Sequence, residues 1–165
     1  AGDPLRKHGA DLACSACRAA AQRFQHRVAR KIKGKMNKKQ RRKTFTKHLP
    51  EVCQDSSFPQ QMAVVEKGGK EKYVDWVDAT QNREGRVSLK RMSPEVRVDM
   101  IAACKHVVHD EYHEALLEKV LAAPKSGRAS DVDFAGWLCG PQQARVCKDE
   151  EEEDEAAEGG GKGEL

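Results

Sequence analysis

Six cysteines constrain this chain more than any other feature. They fall as a close pair in Cys14-Ser15-Ala16-Cys17, two singles at Cys53 and Cys104, and a second close pair at Cys139 and Cys147. An even count in a chain of 165 residues points to a disulfide framework, for which six cysteines allow fifteen pairings. Close pairs at the two ends suggest that the first staples to the last and the middle two to each other, bringing the ends of the chain together. Composition explains the need for staples. Hydrophobic residues make up 38% and charged residues 34%, which leaves one small domain with a modest core. The longest apolar run is a few residues, far short of the ~20 a membrane span requires. The sequence opens on Ala1 with no apolar leader, so a mature chain whose signal peptide has been removed, or a form lacking one, is expected.

The net charge of +4 conceals a polarised chain. Arg27 to Lys47 carries eleven Lys or Arg and no acid, whereas Asp149 to Glu158 carries eight acids and no base. Blocks of this kind are solvated or disordered and serve as interaction segments.

Residues 1–10 hold Gly2, Pro4 and Gly9 and are expected to be a flexible lead-in. From Asp11, Cys14, Cys17, Ala21, Phe24, Val28 and Ile32 recur at spacings of three and four, the stripe of one amphipathic helix, with Asp11 as N-cap and Gly34 as stop. Phe45, Leu49 and Val52 resume helical spacing up to Cys53, with Pro50 kinking or dividing the segment. Between Cys53 and Cys104 the period changes. Tyr73 to Val77 is aromatic and β-branched, Arg86 to Lys90 alternates, and the turn-rich Gln81-Asn82-Arg83-Glu84-Gly85 lies between them. This predicts a β-hairpin insertion over about residues 62–91, with Met62 to Val65 as a third strand or a helix end. Ser93-Pro94-Glu95 then opens the longest helix, whose stripe is Ile101, Cys104, Val108, Tyr112, Leu116 and Val120 and whose end is Pro124. Ser130 to Asp133 caps a short last helix carrying Phe134, Trp137, Leu138 and Cys139. Residues 148–165 show no apolar pattern and read as a disordered acidic tail.

On this reading Cys14 and Cys17 lie one turn apart on the first helix, and Cys139 and Cys147 lie at the end of the last helix and just beyond it. Most pairings are thereby disfavoured. A nested arrangement, Cys14–Cys147, Cys17–Cys139 and Cys53–Cys104, fastens first helix to last and second to third, and domains of the saposin type look like this. Saposins proper have a short connection between their third and fourth cysteines, where this chain has fifty residues. Such an insertion resembles the canopy family of endoplasmic-reticulum (ER) lumen proteins. The pieces that carry the resemblance are CSAC opening the first helix, Glu51-Val52-Cys53, Tyr73-Val74 before a turn, Ala103-Cys104, and the acidic, aromatic helix HVVHDEYHEALLEKV that follows. They span residues 11–147, expected as one mainly α, saposin-like, disulfide-stapled domain with the hairpin between its second and third main helices. The basic 27–47 stretch and the acidic tail depart from the family pattern.

The final Lys162-Gly163-Glu164-Leu165 resembles KDEL with Gly in place of Asp, an address read by a retrieval receptor. The resemblance implies an interaction protein or co-chaperone of the ER lumen. Its partners would be secreted or membrane-receptor clients, other ER chaperones and a KDEL-type receptor, and no cofactor is implied. The basic cluster Lys38, Lys39, Arg41, Arg42 and Lys43 is the candidate contact for an acidic partner, this chain's own tail included.

Four other chemistries compete with this reading. CSAC could be a thiol–disulfide redox centre through Cys14 and Cys17, but no βαβ unit precedes it and four further cysteines offer partners. His106, His109 and His113 lie three and four apart with Asp110, Glu111 and Glu114 adjoining them, yet HDEYH lacks the glutamate position of HExxH zinc enzymes, so a polar helix face with no metal is expected. The basic cluster could meet nucleic acid, but no nucleic-acid fold signature accompanies it and a disulfide-stapled domain does not belong in the nucleus. A saposin-like lipid or membrane-surface binder is the main alternative, although the basic stretch has few apolar residues to insert. No catalytic triad, phosphate loop or paired catalytic carboxylates occur at credible spacing, so no enzyme is expected.

Overall fold

In a computed structural model of the chain, residues 3–82 and 87–148 are described. The acidic run 149–158, the terminal Lys162-Gly163-Glu164-Leu165 and most of the turn expected at 81–85 lie outside them.

Helix α1 spans Ala10–Arg27 and buries Leu12, Ala13, Ala16, Cys17, Ala20, Ala21 and Phe24. These are neighbours at i+3 and i+4, so one stripe faces the core. Its N-cap is Gly9 at φ 100°, not Asp11. Asp11 sits instead in the first turn, where a carboxylate complements the helix dipole. The helix stops at Arg27 and one 3₁₀ turn, Ala29–Lys31, carries Val28 and Ile32 into the core. Gly34 is therefore not its stop. A Cβ there would lie 2.3 Å from the Lys125 carbonyl oxygen and 2.6 Å from that of Gly127, so Gly34 is where two loops touch. The contact continues through Gly34 N–H to Gly127 O at 2.9 Å and Ala129 N–H to Ile32 O at 3.2 Å.

Helix α2, Lys38–His48, opens with a reciprocal capping box: Gln40 N–H donates to Asn37 Oδ1 at 2.8 Å and Asn37 N–H to Gln40 Oε1 at 3.0 Å. A 3₁₀ turn at Leu49–Glu51 follows, with Pro50 at its start.

The insertion is a three-stranded antiparallel sheet in the order β2-β1-β3, with β1 at Met62–Lys67, β2 at Lys70–Asp75 and β3 at Ser88–Arg91. The hairpin joins β1 to β2 through Gly68 and Gly69, both at positive φ, whereas the sequence suggested one from residues 73–77 to 86–90. β3 pairs with β1 on the other side, across a bulge at Val64/Val65. Trp76 and Val77 leave the strand for a short helix α3, Trp76–Asn82, because the Asp75 carboxylate accepts from Val77 N–H at 3.1 Å and starts a turn.

The long helix expected from Pro94 is interrupted. Helix α4, Pro94–Lys105, and α5, His113–Leu121, are joined by a π turn over His106–Glu111, in which Tyr112 N–H bonds Val107 O at 3.1 Å. The expected stripe is buried throughout, from Ile101 to Val120. Asp133 caps the last helix, α6, Phe134–Cys139, accepting from Gly136 N–H at 3.0 Å.

Three disulfides clamp these elements: Cys14–Cys147, Cys17–Cys139 and Cys53–Cys104. The domain is thus mainly helical, disulfide-stapled, and carries a hairpin-bearing insertion. Between the staples Phe24 meets Phe45 and Phe134 edge-on at 5.9 and 5.2 Å, which ties α1 to α2 and α6 in one aromatic seam. Residues 3–8 are fastened rather than loose: Leu5 is buried and Arg6 donates to Ala144 O at 2.8 Å.

Candidate functional site: a cationic face on helix α2

Helix α2 turns Arg41 and Phe45, one helical turn apart, toward the core and leaves Lys38, Lys39, Arg42 and Lys43 exposed. Arg41 is only 3% exposed. Its Nη1 donates to the carbonyls of Val120 at 2.9 Å and Ala123 at 2.8 Å, Nη2 to Gly34 at 2.8 Å and Nε to Met36 at 3.1 Å. Among the described contacts its partners are all backbone oxygens. Those of residues 120 and 123 lie in the last turn of α5 and just beyond its C-cap Ala122, where the carbonyl ends of the helix concentrate negative potential. A buried guanidinium is therefore held without a carboxylate. Burial removes Arg41 from the surface cluster expected of it, and four of the five bases remain available to a partner.

The face extends beyond α2. Arg30, Lys31, Lys33 and Lys35 are exposed on the preceding segment, and Lys47 is exposed in the last turn of α2 itself. The loop contact at Gly34 brings up Lys125 and Arg128, and Lys33 pairs with Arg128 as an isolated antiparallel bridge. Carboxylates offset this charge at the rim: Glu51 lies 3.6 Å from Lys31 Nζ and is bonded to His48, and the Asp131 carboxylate accepts from the Arg128 N–H at 3.0 Å. The His48 hydrogen bond and Lys31 together hold the Glu51 carboxyl below its ordinary value against a smaller opposing effect of burial. A surface of this composition can attract clustered carboxylates or phosphates by charge, with arginine offering a bidentate fork.

A second cluster joins His106 and Glu111, both on the polar helix face read from the sequence, to Asp3, which the sequence pattern does not connect with them. The π turn brings His106 and Glu111, five residues apart, to 2.7 Å, and Asp3 Oδ1 lies 3.2 Å from the same His106 nitrogen. The ligand atoms of Asp3, His106 and Glu111 lie within 4.8 Å of one another, a spacing a cation could bridge. Arg6 already pairs with both carboxylates, bonding Asp3 and standing 3.7 Å from Glu111, so a positive charge occupies the middle of the group. Burial raises the Asp3 carboxyl, but bonds from Arg6 and the Leu5 N–H, with the attraction of Arg6 and His106, outweigh it and hold Asp3 below its ordinary value. The cluster anchors the N-terminal segment to the π turn. The other two histidines go elsewhere. His113 packs edge-on against Phe45 at 5.5 Å, and His109 is half-buried.

The two thiols of CSAC part company. Cys17 is fully buried and bonded to Cys139, while Cys14 is half-buried and bonded to Cys147. Among the described residues no helix is long and apolar enough to cross a membrane. In comparisons with protein-family models, curated proteins and solved structures, the chain finds no match.

Proposed function

We propose that this chain is a non-catalytic interaction protein of the ER lumen, a canopy-like co-chaperone that binds acidic segments of secreted or membrane-receptor clients during folding or export. The observation that carries the reading is the α2 face: the exposed bases Lys38, Lys39, Arg42 and Lys43 presented on a helix that is pinned from behind by Arg41 and Phe45. Supporting it, the three long-range bridges are of the kind that persist in oxidising compartments, and each CSAC cysteine is engaged in a different bridge. The order of CSAC, Glu51-Val52-Cys53 and Ala103-Cys104 resembles the canopy family, and Lys162-Gly163-Glu164-Leu165 resembles a retrieval address.

Crosslinking in the ER lumen tests this. The wild type is expected to capture clients that a variant with Lys38, Lys39, Arg42 and Lys43 all changed to Glu loses. Equal capture by both would remove the α2 face from the reading. Deleting Lys162 to Leu165 should increase secretion, and unchanged secretion would end the address.

The same exposed bases favour a second reading, a saposin-like protein that binds an anionic membrane surface. Flotation with vesicles of phosphatidylcholine alone and with added phosphatidylserine separates the two. Binding to the anionic vesicles at physiological salt would support the membrane.

A further inference from the structure

A second basic surface lies away from α2, between α1 and the sheet. Strand β2 is the outer strand there, and α1 covers its free edge: Tyr73 N–H donates to Ser15 Oγ at 2.9 Å and Glu71 N–H to Asp11 Oδ2 at 3.4 Å. These bonds satisfy the edge that would otherwise pair with another strand. Along this junction runs an open groove of about 540 Å³. Five of its lining residues are basic: Arg18 on α1, Lys67, Lys70 and Lys72 on the hairpin, and Lys148. Two are acidic, Asp11 and Glu71, and Asp11 is already bonded to a backbone amide.

The groove also sits where the described chain ends. The Cys14–Cys147 bridge holds the two Cα atoms 4.7 Å apart, so Lys148 is fixed at the rim beside α1. The next seven residues, Asp149 to Glu155, are all acidic. Seven extended residues span about 23 Å, close to the ~20 Å of a six-residue strand such as β2.

We propose that Asp149 to Glu155 dock in this groove, with their carboxylates on the bases of α1 and the β1–β2 hairpin, and that the groove is a site for acidic peptide segments occluded by the chain's own tether. The opposite charges begin side by side, and a disulfide fixes the point from which the acidic run departs. A short tether gives its segment an effective concentration in the millimolar range, which compensates for weak, solvent-screened individual contacts. An acidic segment of another protein must displace the tether to enter. This site is distinct from the α2 face, and its failure would leave the client-binding reading standing.

The test uses the full chain and ¹⁵N-resolved NMR. A variant with Asp149→Asn, Glu150→Gln, Glu151→Gln, Glu152→Gln, Glu153→Gln, Asp154→Asn and Glu155→Gln is compared with the wild type. Amide shifts are expected along residues 10–22 and 67–73, and about 0.5 M salt should reproduce them in the wild type. Shifts confined to residues 38–48, or no shifts, would overturn the proposal. A second variant, Lys67→Glu, Lys70→Glu and Lys72→Glu with the acidic run intact, should shift the α1 amides in the same way, and silence there counts against it. An added oligoglutamate peptide should bind the neutralised variant roughly tenfold more tightly than the wild type, and equal affinity contradicts occlusion.

Discussion

The Arg41 guanidinium donates to the Ala123 carbonyl at 2.8 Å, across 82 residues of chain. Through that bond and its companions to Val120, Gly34 and Met36, one side chain closes the C-terminal end of α5 and anchors α2 against it. Arg41→Ala leaves several buried carbonyls without donors, and it should lower unfolding free energy by at least about 3 kcal/mol in urea titrations. Arg41→Lys keeps the charge but loses the fork, and an intermediate loss is expected. Arg42→Ala, one position away and exposed, should stay within about 0.5 kcal/mol of wild type. Similar losses for Arg41→Ala and Arg42→Ala would mean that Arg41 does not bridge the two helices.

Gly34 gives a steric counterpart to the same junction. A methyl group there would meet the Lys125 and Gly127 carbonyl oxygens at 2.3 and 2.6 Å, both on backbone that cannot swing away as a side chain would. Gly34→Ala should therefore destabilise by about 1–3 kcal/mol, the range of an overpacked core. Lys35→Ala, exposed and adjacent, serves as the control. A thermal midpoint unchanged by Gly34→Ala would show that the two loops do not approach as closely as described.

How far the sequence foretells this arrangement differs by element. The stripes of α1 and of α4–α5 are legible because burial recurs every three to four residues, and Cys17, Phe24, Cys104 and Leu116 all lie on them and are all buried. The sheet is legible in existence but not in pairing. Tyr73 to Val77 has continuous strand propensity, and only the Asp75 carboxylate, acting on the amide of Val77, turns Trp76 into the start of a helix. The hairpin signal was the Gly68-Gly69 pair, the two residues between β1 and β2. In the basic run both Arg41 and Arg42 stand at helical spacing from Phe45, and the choice of Arg41 is made by the carbonyls of Gly34 and Met36 together with those of Val120 and Ala123 some 80 residues away, which the sequence does not place beside it. The Asp3–His106–Glu111 cluster is hidden for a related reason. A five-residue spacing faces one way only in a π turn, and helical periodicity assumes 3.6 residues.

The three bridges divide the labour of holding the fold. Cys53–Cys104 closes a separation of 51 residues around the sheet, while the other two fasten α1 to the end of the domain over 133 and 122 residues. Replacing Cys53 and Cys104 together by Ser should lower stability by about 2–4 kcal/mol while leaving the other two pairs intact. Non-reducing peptide mapping checks the pairing in both proteins. A Cys14–Cys17 linkage in the resting wild type would contradict the staple and revive a thiol–disulfide exchange role for CSAC.

Acidification should weaken the domain through His109. Burial is the largest influence on this imidazole and pushes its pKa below the ordinary 6.5, and His113 and Lys105 act the same way against the opposing pull of Asp110. The fold therefore resists a proton that the unfolded chain accepts. The stability so conferred is complete above the unfolded value near 6.5 and declines as pH falls from there through the folded value. Urea midpoints taken at about pH 7 and about pH 5 should show the wild type losing stability, with His109→Gln, which cannot titrate, losing less. Asp3 adds a separate loss at lower pH, because its carboxyl is held below the ordinary 3.8 and must be protonated before its bonds to Arg6 and Leu5 are given up. A wild type and His109→Gln that lose stability equally between the two pH values would assign the first loss to a group other than His109.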